Sequence, residues 1–188
     1  MHITTFILMS WITAGVVLSY PDIISRSDWG AQSASKYIPN LKHPVEYAVI
    51  HHTASSSCST IEKCKTYVRN TQSGHIDDPE IGSDIAYNFL VDKNGNVYEG
   101  RGWDKVGYHC GDWGINSNSI GIAVIGNFMT REPSAEAQDA VKSLLEMAVY
   151  KRKLDSTYKL RGHRDVNGSA CPGDKFYNLI KLWPHFNN

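Results

Sequence analysis

The sequence predicts a single α/β domain built round a central sheet, and three observations carry that reading. The chain has 188 residues, enough to bury one sizeable core. Two short runs, Tyr47–His51 and Gly121–Gly126, are apolar without alternation, which marks strands buried on both faces. Between and after them, helical and strand patterns follow in the order β, α, β-hairpin, β, α, β, α, which is the order of a mixed α/β domain.

Each element has its own local reason. Ile23 to Ala31 is a short polar–apolar lead-in with one large anchor, Trp29. Thr60 to Asn70 places Ile61, Cys64, Tyr67 and Val68 on one side of an amphipathic helix, and Gly74 with Asp77-Asp78-Pro79 is expected to break it. Asn94-Gly95 separates Tyr87–Val91 from Asn96–Glu99, the strongest short-range hairpin signal. Ser134 to Lys153 reads as a helix with Ala137, Val141, Leu144, Leu145 and Ala148 inward, and with Lys151, Arg152 and Lys153 at the negative end of its dipole. A last helix starts near Asp174 and stops at Pro184. No repeat, low-complexity tract or domain boundary interrupts residues 20–188.

Composition narrows the partners. Nineteen Lys and Arg balance nineteen Asp and Glu. A neutral chain is a poor match for nucleic acid, whose binding rests largely on neutralised phosphates. Residues 1–19 read as a secretory signal: Phe6 to Leu18 is apolar but short for a membrane span, and Val17 and Ser19 are small residues near its end. An N-terminal anchor is the alternative. No later run could cross a bilayer, so a secreted monomer with no membrane partner is expected.

Secretion permits disulfides. Four cysteines, Cys58, Cys64, Cys110 and Cys171, allow three complete pairings. A Cys58–Cys64 bridge requires Cys58 in the loop before the helix, and Ser55-Ser56-Ser57 supplies such a loop. That bridge is expected, worth about 2.4 kcal/mol in the chain-entropy model, with Cys110 and Cys171 unpaired.

The chemistry gathers between Leu160 and Gly173, where His163 and Cys171 are both good zinc donors. His51, at the polar end of an apolar strand, is a third. Three such ligands leave one tetrahedral position open, as hydrolytic zinc sites require, whereas a closed structural site needs a fourth protein ligand. Strand alternation turns the neighbouring His52 to the other face.

Seven blocks then follow in order: Ser27–Ala31, Val49–Thr53, Ala86–Val91, Val97–Trp103, Ser119–Ala123 with Gly126–Phe128, Gly162–Asp165 and Cys171–Gly173. Together they resemble the animal peptidoglycan recognition proteins, particularly their short, secreted, insect-like forms, and more distantly the phage-lysozyme-type N-acetylmuramoyl-L-alanine amidases. The resemblance runs from about residue 22 onward. It implies a mainly parallel mixed sheet packed by about three helices, with a long cleft for bacterial peptidoglycan and its muropeptides.

For the amidase branch the resemblance implies Zn2+ on His51, His163 and Cys171, with Tyr87 as the catalytic tyrosine. Ser169 stands where amidases have Thr or Lys; a hydroxyl is kept there, so reduced rather than abolished activity is expected. Thr53, Arg101, Gly102, Trp103, Tyr108 and His109 fall on the substrate-binding positions. Gly102-Trp103 resembles the pair associated with diaminopimelate-type stems, although the Arg that usually accompanies it near Asn118 is missing. Tyr108-His109-Cys110 replaces the commoner small residue-His-Thr and puts a bulky ring and a thiol beside the cleft. Asn167-Gly168-Ser169 is a glycosylation sequon inside the ligand loop, expected to stay unmodified. Two functions remain open: a secreted zinc amidase of innate immunity, and a receptor that binds the same ligand without cleaving it. Members that only bind commonly carry Ser at the position of Cys171, so the cysteine favours the enzyme.

Overall fold

The computed structural model describes residues 20–186, so the expected signal segment lies outside the described residues. Six strands form one sheet in the order β1-β4-β3-β5-β2-β6: β1 Ile23–Ile24, β2 Val45–His52, β3 Phe89–Val91, β4 Val97–Glu99, β5 Ser119–Val124 and β6 Leu154–Gly162. Only the β3–β4 hairpin is antiparallel. The mainly parallel mixed sheet is therefore as expected. β2, one strand in from the β6 edge, pairs Val49 with Gly121 on one side and with Arg161 on the other.

The helices are α1 Arg26–Trp29, α2 Ile61–Asp77, α3 Trp113–Asn116, α4 Ala135–Tyr150, α5 Arg164–Asn167 and α6 Asp174–Ile180. Three of them, α2, α4 and α6, are the helices expected from periodicity; the other three are single turns. In α1 a reciprocal Ser25–Asp28 capping box satisfies the first backbone donors, and the buried Trp29 donates from Nε1 to the Glu99 carbonyl at 2.8 Å. The lead-in is thus a strand and a capped turn stitched to the hairpin.

Turn chemistry explains that hairpin. The Asp92 carboxylate accepts from the Asn94 and Asn96 amides at 2.8 and 3.0 Å, and Gly95 sits at φ 83°. A Cβ on Gly95 would also meet the Glu136 carbonyl oxygen at 2.9 Å, so the loop packs against α4 only as glycine.

Two corrections concern helix ends. Gly74 does not stop α2, which runs to Asp77 and ends where Pro79 follows its cap Asp78. A glycine costs a helix about 1 kcal/mol, less than the packing of Cys64, Val68 and Gln72 along the same helix supplies. Ile61, expected inward, is 43% exposed. At α4 the cap is Ser134 and the helix closes at Lys151, so Arg152 and Lys153 lie beyond it. All five residues expected on its inner face are buried.

One core cluster joins α4 and α6 to the even-numbered residues of β2 and β5: Ala48, Ile50, Ile120, Ile122 and Val124 pack with Val141, Leu144, Phe176 and Ile180. A second joins α1 and α2 to β3, β4 and the end of β5 through Trp29, Val68, Leu90, Tyr98 and Ala123. That second cluster contains no residue of β2 or β6. The face of β2 that carries His51 is left free for other use.

Candidate metal centre

Two regions distant in sequence meet at the C-terminal ends of β2 and β6. β2 ends in His51-His52, His163 follows β6 directly, and the turn after α5 brings Cys171 alongside. Main-chain bonds fix the assembly: His163 N–H donates to the Ile50 carbonyl at 3.1 Å and Arg164 N–H to the Cys171 carbonyl at 2.9 Å. Arg164 also reaches the Ala170 carbonyl at 2.6 Å and Asp174 at 3.0 Å, clamping the cysteine turn.

One donor atom each from His51, His163 and Cys171 lies within 4.8 Å of the other two. The Cys171 Sγ to His51 Nδ1 distance is 3.7 Å. Zn–S and Zn–N bonds of normal length at a tetrahedral angle would separate S and N by about 3.6 Å, so the pair fits zinc without rearrangement. Among the described residues, no fourth His, Cys, Asp or Glu joins this group. His52 turns away, and its Nδ1 accepts from the Phe128 N–H at 3.3 Å.

Burial sets the protonation of the metal-free site. It holds the His51 imidazole well below its usual range, helped by His109 and His163, and lowers His163 too. It pushes the Cys171 thiol up to about 12, although the His52 N–H at 3.3 Å and Arg164 pull the other way. All three donors are therefore neutral near pH 7, and a bound cation must displace the thiol proton.

Around the donors, Tyr87 lies with its ring centroid 5.3 Å from that of His51, and burial with the Cys171 charge raises its phenol above the ordinary range. It stays a hydroxyl donor at every physiological pH. Ser169 Oγ is buried and finds no protein hydrogen-bond partner. Thr53 Oγ1 accepts from the Gly126 N–H at 3.0 Å and meets Ser55 Oγ at 2.8 Å. Tyr108 is 36% exposed beside the site. Trp103 is partly buried, its ring 4.3 Å from Phe89, and Gly102 bonds through its backbone to Asn88.

Two residues expected on the substrate surface are not there. Arg101 is buried, and its guanidinium is committed to the Ile85 and Val106 carbonyls at 2.7 and 2.8 Å and to Ser83 Oγ at 2.9 Å. It ties the chain before β3 to the chain after β4. His109 is buried as well, with Nδ1 3.0 Å from His51 Nε2. Cys110, the unexpected thiol, is also buried; burial raises it to about 11, and it donates to Asn116 Oδ1 at 3.2 Å. Asn116, which also accepts from the His109 N–H at 3.0 Å, carries no sequence signal that would have singled it out. The sequon residue Asn167 has its amide nitrogen 2.9 Å from His163 Nε2 and 3.1 Å from the Cys110 carbonyl. The Cys58–Cys64 disulfide is present, at the base of α2.

The domain is a mainly parallel α/β sheet with two imidazoles and a thiol converging at its strand ends, a group that could hold a metal ion. The sequence profile of the N-acetylmuramoyl-L-alanine amidase family matches residues 41–174, and the chain belongs to that family. Its relatives there are peptidoglycan recognition proteins. Mouse peptidoglycan recognition protein 1 is 44% identical over 174 residues, covering 92% of this chain and 93% of the mouse protein. Peptidoglycan-recognition protein SC2 of Drosophila melanogaster is 44% identical over 165 residues, covering 87% of each. Among solved structures, the Drosophila recognition protein SD superposes with a TM-score of 0.84 at 40% identity, covering 89% of this chain and 98% of that one. The recognition protein LE, solved with tracheal cytotoxin, a monomeric diaminopimelic acid-type peptidoglycan, gives 0.84 at 41% identity, covering 88% and 96%.

Proposed function

We propose that this protein is a secreted, zinc-dependent N-acetylmuramoyl-L-alanine amidase of innate immunity. It binds bacterial peptidoglycan and cleaves the amide bond between the lactyl group of muramic acid and the stem peptide. The observation that carries the reading is the His51–His163–Cys171 group, with donor spacing that suits zinc and a fourth position open. Zinc held there supplies a Lewis acid for a carbonyl and lowers the pKa of water to about 7.

The chain's own groups do the rest. Tyr87 offers a hydroxyl that burial keeps protonated, placed to donate to the oxygen on which negative charge develops. Desolvation holds both imidazoles, the buried His51 and the half-buried His163, below their usual range, which favours the neutral form that serves as a ligand. Ser169 carries a buried hydroxyl with no protein partner two residues from Cys171, and a side-chain rotation would be needed to offer it to the substrate. By the family resemblance, Thr53, Gly102, Trp103 and Tyr108 are the proposed contacts to glycan and stem.

A non-catalytic receptor is the second reading, supported by Ser169 in place of the amidase Thr or Lys. The two separate in one experiment. Muramyl-peptide incubated with the zinc-loaded protein should yield free stem peptide by mass spectrometry, and chelator should stop the release. Binding without release would leave the receptor.

A further inference from the structure

We propose that His109 is a positioning residue for the metal centre: it fixes the proton of His51 on Nε2 and so aims the Nδ1 lone pair at the cation. The proposal rests on the metal site proposed above. The His51 ring has two ends with different neighbours. Nδ1 faces Cys171 Sγ at 3.7 Å, and Nε2 faces His109 Nδ1 at 3.0 Å. A metal at Nδ1 needs that nitrogen unprotonated, so the single proton of neutral His51 sits on Nε2 and is donated to His109 Nδ1. His109 then carries its own proton on Nε2, which faces Ser119 Oγ at 3.3 Å. The proton count closes along the chain His51, His109, Ser119, and each contact has one donor and one acceptor.

The ring of His109 is seated by the backbone around it. A Cβ on Gly121 would lie 2.3 Å from its Cδ2, and one on Gly107 would lie 2.4 Å from the same atom. Two glycines, one on β5 and one in the loop after β4, leave the slot that the imidazole fills. Asn116 Oδ1 holds its backbone N–H at 3.0 Å, and the rings of His51 and His109 meet edge to face with centroids 4.9 Å apart. A ring so enclosed reaches His51 in one orientation only, which is what a partner behind a metal ligand must do.

The test is zinc affinity by competition with a chromophoric chelator, together with the visible spectrum of the cobalt(II)-substituted protein. His109→Asn keeps an acceptor near the place of Nδ1 and should bind zinc within about threefold of wild type. His109→Gln keeps polarity and nearly the volume, but carries its amide toward the Nε2 end. It should bind about 10–100-fold more weakly, the usual effect of losing such a partner, with an altered cobalt ligand-field band. His109→Leu should behave as Gln does; if it fails to fold, the Asn and Gln pair still decides. Equal affinity in Asn and Gln variants would overturn the positioning role and leave the zinc site intact. Wild-type protein that binds no zinc would instead remove the metal-site reading on which the proposal rests.

Discussion

Zinc added to the metal-free protein at pH 7 should release about one proton per ion from its three donors. The number follows from the desolvation of those donors. Both imidazoles are held below their usual value of 6.5, so at pH 7 they are mainly neutral and give up little. The Cys171 thiol, pushed up from 9.0 to about 12, is protonated and must lose its proton to become a ligand. Lifting it that far opposes thiolate formation by about 4 kcal/mol relative to an ordinary thiol, at 1.36 kcal/mol per unit. The metal–sulfur bond must offset that amount. Because protons are only lost on binding, affinity should rise with pH, about tenfold per unit just below pH 7, and more steeply above it, where water at a zinc centre with a pKa of about 7 adds to the count. Calorimetric titration in buffers of different ionisation enthalpy reads the number directly, and Cys171→Ser should bring it near zero. A wild-type value near zero would mean that the sulfur is not a ligand or is already ionised. A value near three would mean that both imidazoles are charged in the metal-free state. Either result would refute the reasoning from burial.

Cys171→Ser should also abolish release of stem peptide while leaving muropeptide binding largely in place, measured by mass spectrometry and calorimetry on the same preparation. Tyr87→Phe should retain zinc and binding but slow turnover about 10²-fold, as expected for one oxyanion donor; an unchanged rate would remove the tyrosine from the mechanism. Diaminopimelate-type muropeptides should bind more tightly than lysine-type ones on account of Gly102 and Trp103. Equal calorimetric affinities would show that the missing Arg near Asn118 outweighs that pair. Tyr98→Phe removes a buried hydroxyl that donates to Asp92 at 2.9 Å. It should lower urea stability by about 1.5–3 kcal/mol, the range for a hydrogen bond to a charged group, and a change under 0.5 kcal/mol would contradict that account.

What could be read from the sequence was what is local. Asn94-Gly95 announces its hairpin because the turn is specified by residues within five positions of it. The inner face of α4 shows in its periodicity because it packs on one continuous core. His51, His163 and Cys171 were found by a family resemblance, not by spacing, since their approach depends on strands far apart in the chain. The errors have the same origin. Arg101 falls on a substrate-binding position by resemblance, and nothing near it in sequence shows the carbonyls that consume its donors. His109 was placed at the cleft surface, yet its slot is made by two glycines from different elements, Gly107 and Gly121. Gly74 was read as a helix stop because its local penalty is visible and the tertiary packing that overrides it is not.

The interior position of β2, between β5 and β6, has a consequence for how the chain is made. Its partners are both synthesised later: Val49 waits for Gly121 and then for Arg161. At ordinary translation speeds of about 5–20 residues per second, the last partner follows on the order of ten seconds behind. Until then the apolar run Ala48 to Ile50 has at least one unpaired edge. The nascent chain is therefore open to wrong pairing through that interval, as expected of parallel sheets with long-range contacts. The proposed metal-binding group is complete only once His163 and Cys171 have followed β6. His51 waits as a strand end without its two proposed co-ligands until then, which would make metal binding a reporter of whether β6 has docked.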